Sequence, residues 1–287
     1  MRFIAVVFSL IIIVTAGSAL AADTDLIAYF HGDWGNLNIY TIPVAGGTPT
    51  QLTSNAGNNT EPEWSPDGTR IAFQSDREGT EAIYIMNADG SNQVRVTPPS
   101  IRGRQPSWSP DGTQLLFTHV NTGTVALINI DGTNPQDLTP PALRAWNAKW
   151  SLEGTKIVFE TDRDGDAEVY VMNADGSDIT QLTDNDTSDQ HPAISPDGAA
   201  IVYNSHADGR QDFDLFLMEI DGSPIRRLTT SREHDEYASW SSDGQQLVYA
   251  CANAALYIIN ADGTGNRRLT SSAFWTAGPA WQPSTDE

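Results

Sequence analysis

The chain of 287 residues carries 37 Asp and Glu against 16 Lys and Arg, a formal charge of −21. A surface of that sign repels nucleic-acid phosphates, which argues against a nucleic-acid partner. Cys251 is the single cysteine, so no intrachain disulfide can form and stability has to come from a packed core.

Met1 and Arg2 precede an apolar run from Phe3 to Val14, and small residues then end in Ala19-Leu20-Ala21. This is the pattern of a signal peptide with an A-x-A cleavage site, and cleavage is expected after Ala21. The run is shorter than the roughly 20 residues a spanning helix needs, so no transmembrane anchor is expected in the mature chain, 22–287. The expected location is periplasmic or secreted, and the acidity reads as a solubility device.

From there the chain repeats itself. Trp64-Ser65-Pro66-Asp67-Gly68 returns as Trp108-Ser109-Pro110-Asp111-Gly112, with looser copies starting at Trp150, Ile194 and Trp240 and a truncated one at Trp281. The intervals are 44, 42, 44, 46 and 41 residues, the period of a four-stranded propeller blade. Within each unit the first strand ends at the Trp, and Ser-Pro-Asp-Gly forms a hairpin in which Pro presets φ and Gly accepts a positive one. An apolar triplet such as Ile71-Ala72-Phe73 makes the second strand and Ile83 to Met86 the third. Asn87-Ala88-Asp89-Gly90 turns into a fourth strand that closes on Val96-Thr97 or, elsewhere, a Leu-Thr pair.

The first repeat, beginning at Ile27, lacks its own Trp strand, and the last supplies only that strand. Pairing the C-terminal strand with the N-terminal blade therefore closes the ring. The fold expected is all-β, a six-bladed β-propeller with four antiparallel strands per blade. Trp64, Trp108, Trp150, Trp240 and Trp281 are expected between neighbouring blades, whereas Trp34, Trp146 and Trp275 are placed in loops.

The runs Pro62-Glu63-Trp64, Ser75-Asp76-Arg77, Ile83-Tyr84-Ile85-Met86 and Asn87-Ala88-Asp89-Gly90 strongly resemble the TolB-type propeller repeat. That resemblance implies the propeller fold and an envelope-facing binding role. Similar repeats also occur in oligogalacturonate lyases and ahead of the hydrolase domain of prolyl-oligopeptidase-like enzymes. The chain has no G-x-S-x-G elbow, so a peptidase is not expected.

Aligning the repeats puts His191 beside the central tunnel, where the other blades carry Glu61, Gln105, Asn147, Tyr237 and Gly278. Loop length varies mainly between second and third strands, which marks that rim as the binding face. The candidate ligand-binding residues are His191, His206, His234, Asp189, Asp235, Glu236, Trp146, Glu61 and Arg104. A divalent metal ion held by His191, His206, His234 and Asp189 is the one cofactor considered; none is required. Asp162 to Glu168 has calcium-loop spacing at first sight, but Gly165 is misplaced for an EF-hand and the stretch reads as an ordinary turn.

No nucleophile–base pair stands at recognisable spacing, so the chain reads as a non-enzymatic binding module. Its partner is expected to be an envelope protein, peptide or glycan. The alternatives are a metal-dependent polysaccharide lyase-like enzyme and a purely structural envelope component.

Overall fold

The computed structural model describes residues 25–284, apart from 55, 207–209, 224, 253 and 271–273. The signal-peptide reading lies outside the described residues. Those residues form six sheets, each of four antiparallel strands. First strands of successive sheets pack side by side around the ring, and Trp275–Trp281 packs against both Asp235–Trp240 and Asn59–Trp64. Blade 1 is built from both ends of the chain. Trp275–Trp281 pairs with Leu26–Gly32, with Trp281 opposite Ile27, and the Gln282 N–H donates to Leu26 O at 2.9 Å. Among the described residues no helix is long and apolar enough to cross a membrane.

The repeated residues each carry a local structural task. In the first hairpin type the Ser65 hydroxyl donates to Asp67 at 2.6 Å, and Asp67 accepts the Thr69 N–H at 3.0 Å. Asp111, Asp197 and Asp243 do the same. In the second turn Asp89 accepts the Ser91 N–H at 2.9 Å, as do Asp131, Asp175, Asp221 and Asp262 at their own turns. Nine aspartates thus brace turns, so part of the acidity also serves the architecture.

The closing Thr of each blade extends a fourth strand that is only two residues long. Its hydroxyl accepts a third-strand N–H in all six blades: Ile39, Ile83, Val125, Val169, Leu215 and Leu256 donate at 2.8–3.1 Å. These buried amides would otherwise have no partner.

The core lies in the seams between blades. Trp64, Trp108 and Trp281 are buried there, and Ile194 takes the Trp place in blade 5. The indole N–H groups of Trp108 and Trp240 donate to Glu63 O and Ala193 O of the preceding blade, each at 3.1 Å. Burying one such indole is worth about 4–6 kcal/mol, so these seams dominate the stability.

Candidate functional site

Every first strand carries the same β-bulge. Thr60 pairs with Gln74 and Glu63 with Ala72, leaving Glu61 and Pro62 opposite Phe73 alone. The register shifts at the same place in the other five blades. The first bulge residue is left-handed throughout: Glu61 (φ 51°), Gln105 (53°), Asn147 (53°), His191 (53°), Tyr237 (58°) and Gly278 (57°). The second is Pro in four blades, which suits a position outside the ladder. The bulge swings these six residues towards the axis, where they line one cavity.

That cavity holds about 690 Å³. Its wall continues through Glu63, Ser107, Lys149 and Ala193 to the hairpin prolines Pro66, Pro110 and Pro196. It therefore opens on the hairpin side, opposite the rim of variable loops that the sequence marked as the binding face. The cavity is set by where the bulge turns the strand.

The site's electrostatics follow from burial. Lys149 of blade 4 reaches across to form an ion pair with Glu63 of blade 2. Burial pushes the Glu61 carboxyl up to about 7, against the pull of Lys149. Behind the ring Glu160 is 1% exposed, and burial pushes it up to about 8. It does so although Glu160 accepts the His191 N–H at 3.1 Å and bonds from the Asn147 and Trp146 side chains. Burial lowers His191 to about 4, so its imidazole is neutral; Nδ1 lies 3.0 Å from Asn204 Oδ1 and its ring 4.0 Å from that of Tyr237. Burial holds the Tyr237 phenol well above its ordinary range. The arrangement is a preformed receptacle with a neutral imidazole and carboxylates in excess over lysine.

Of the residues singled out from sequence, His191 and Glu61 line the cavity. Trp146 is not in a loop but on the strand Ala145–Trp150, where its indole serves Glu160 from behind the ring. Trp275 likewise opens a strand, and Trp34 alone of the three sits in a loop. Glu236 is buried one residue before the ring. Arg104 pairs with Glu81, which also takes Arg102 at 2.7 Å. Asp189 is buried and accepts from the Asn185 amide at 2.8 Å, while Asp235 is buried opposite Cys251.

The four residues considered as metal ligands are not one site. His206 stacks on Phe213 at 4.0 Å and His234 flanks the same ring, but His191 is in the tunnel and Asp189 at the start of its strand. Among the described residues no three His, Cys, Asp or Glu side chains are placed to hold a metal ion. Glu63, Lys149 and Glu160 were missed from sequence. The first two lie two positions beyond the ring, and the period of a strand points them to the same face.

Residues 12–145 and 142–286 each match the family described as the TolB beta propeller domain. A protein TolB homolog of Chlorobaculum tepidum is 29% identical over 108 residues, 38% of this chain and 25% of that protein. The match thus spans about a quarter of the curated relative. Crystalline TolB from Acinetobacter baumannii is similar with a TM-score of 0.78 and 24% identity, over 91% of this chain and 67% of that one. An oligogalacturonate lyase in complex with manganese has a TM-score of 0.56 and 18% identity, over 85% and 74% of the two chains. At these identities both likenesses concern the fold. Six four-stranded blades, sealed by the two chain ends and matched along nearly their whole length, place this chain in the TolB beta propeller domain family.

Proposed function

We propose that the chain is an exported, non-enzymatic binding module of the cell envelope that receives an extended segment of a partner protein in its tunnel cavity. The observation that carries this reading is the ring itself. One left-handed backbone recurs in six blades, yet it carries five different side chains and one glycine around a cavity of about 690 Å³. Non-glycine residues in that conformation cost of order 1–3 kcal/mol each and gather at functional sites. A rigid ring of sheets receives a ligand without reorganising, which favours affinity. Export rests on the residues that precede the blades, and the protein partner on the family's propellers. The lyase-like alternative rests on the fold likeness to an oligogalacturonate lyase in complex with manganese.

The test is to narrow the tunnel. Ala193 lines the cavity, and Ala193→Phe adds a ring to its wall. Purified wild type should capture a specific protein from a solubilised envelope fraction, and Ala193→Phe should lose it while keeping its unfolding midpoint. Equal capture by both proteins would overturn the reading.

A further inference from the structure

The charges lining the cavity do not balance. Among the described residues that line the cavity Lys149 is the sole Lys or Arg, and Glu63 already engages it. Glu61 faces the same space, and among the described residues no donor hydrogen-bonds its carboxylate. His191 cannot compensate, because burial keeps its imidazole neutral. Glu160 stands just behind the ring and raises the local negative potential when ionised. An anionic ligand would meet these carboxylates against one committed lysine. A neutral ligand would leave the Glu61 carboxylate without a partner beneath it and drive it to take up a proton. A cation with hydrogen-bond donors resolves both problems.

We propose that the tunnel cavity recognises a primary ammonium or guanidinium group of its occupant, seated on the Glu61 carboxylate beside the Glu63–Lys149 pair. This deepens the binding-module reading and rests on it. The group is supplied by a lysine or arginine side chain or by a free amino terminus; the three share the chemistry that Glu61 demands. Lys149 is then a competitor held in reserve on Glu63, and it sets how much negative charge the occupant meets.

Short peptides test this directly. The probes are acetyl-Gly-Gly-Lys-Gly-Gly-amide, its Arg and Gln counterparts, and pentaglycine amide with a free amino terminus. Each is titrated into the full chain and followed by the tryptophan indole NMR signals, since Trp64, Trp108, Trp150, Trp240 and Trp281 line the cavity. At least one cationic probe should bind roughly tenfold more tightly than the Gln peptide, the scale of one charged hydrogen-bonded contact. Which one binds best identifies the source of the cation. Glu61→Gln should erase that advantage. Lys149→Gln should enlarge it, because Glu63 is set free; a merely structural role for these residues would not move the two variants in opposite directions. Circular dichroism and the unfolding midpoint show that both variants are folded.

Equal binding of the cationic and Gln peptides, absence of binding at millimolar peptide, or an unchanged response in both variants each overturns the proposal. Its failure is separable from that of the parent reading. Partner capture lost in Ala193→Phe but kept in Glu61→Gln and Lys149→Gln sinks the cation site alone. Peptide binding with the expected signs, alongside capture untouched by Ala193→Phe, sinks the parent reading instead.

Discussion

The hairpins and the tunnel wall come from one repeat but keep it to different degrees. At the hairpins backbone and side chain recur together: Ser65, Ser109, Ser195 and Ser241 each donate to an Asp two residues on. At the tunnel wall the backbone recurs alone, and glutamate, glutamine, asparagine, histidine, tyrosine and glycine share one left-handed bulge. A position repeated in both senses answers a demand of the fold, since changing it breaks a local bond. A position repeated only in backbone answers the fold with its φ and something else with its side chain.

Substitutions in the seam and in the tunnel wall should separate most sharply. Trp108 is buried between blades, donates to Glu63 O and carries the Arg70 guanidinium 4.7 Å over its ring. Trp108→Ala should cost about 3–5 kcal/mol, read as a fall in the urea midpoint. Lys149→Gln, across a half-buried ion pair in the tunnel, should cost about 1 kcal/mol or less. Comparable losses in the two variants would make the tunnel wall as structural as the seams and break the comparison.

The same contrast decides how much was legible in advance. Blade number, ring closure, the seam role of the repeated Trp and the ring of bulge residues could be read because the sequence states each of them several times. What was not legible depends on single occurrences meeting across the axis. Lys149 and Glu63 are 86 positions apart and pair only because blades 2 and 4 face one tunnel. The side on which the cavity opens, and the scattering of His191, His206, His234 and Asp189, likewise follow from the twist and bulge of the strands. No spacing along the chain encodes those. Glu160 was missed because its repeat position holds Gln74, Thr118, Asn204, Ala250 and Phe30 elsewhere and announces nothing.

Acid and alkali should strike the two regions in opposite order. Glu160 ionises near 8 when folded against 4.5 for its ordinary value, so the folded state keeps a proton that the unfolded chain releases in between. Stability therefore falls as pH rises from about 4.5 through 8. Burial raises Glu61 and Glu168 to about 7, which acts in the same direction. At the hairpins hydrogen bonds from Ser hydroxyls and backbone N–H groups hold Asp67, Asp111, Asp197 and Asp243 below the usual range, so their contribution is lost as pH falls below about 4. Glu160→Gln should flatten the decline of the thermal midpoint between about pH 5 and 8, by several degrees at the upper end, and leave the acid limb unchanged. An identical alkaline slope in variant and wild type would remove the tunnel's buried carboxylates from the account.

The smallest effect is the most pointed, because its sign is unusual. Glu61 holds a left-handed φ of 51°, has its carboxylate partly desolvated and, among the described residues, receives no hydrogen bond. Glycine adopts that backbone freely, as Gly278 does at the equivalent place, where the Phe30 ring stands 2.7 Å from any added Cβ. Glu61→Gly removes strain and a partly desolvated carboxylate; the lost attraction of Lys149 and the entropy of a new glycine in the unfolded chain offset part of that gain. The net change should lie between zero and about 1 kcal/mol of added stability, seen as an unchanged or raised urea midpoint near pH 8. The same variant should lose the preference for a cationic peptide. A residue whose removal strengthens the fold and weakens recognition is kept for recognition; a clear loss of stability would instead return Glu61 to the class of the hairpin aspartates.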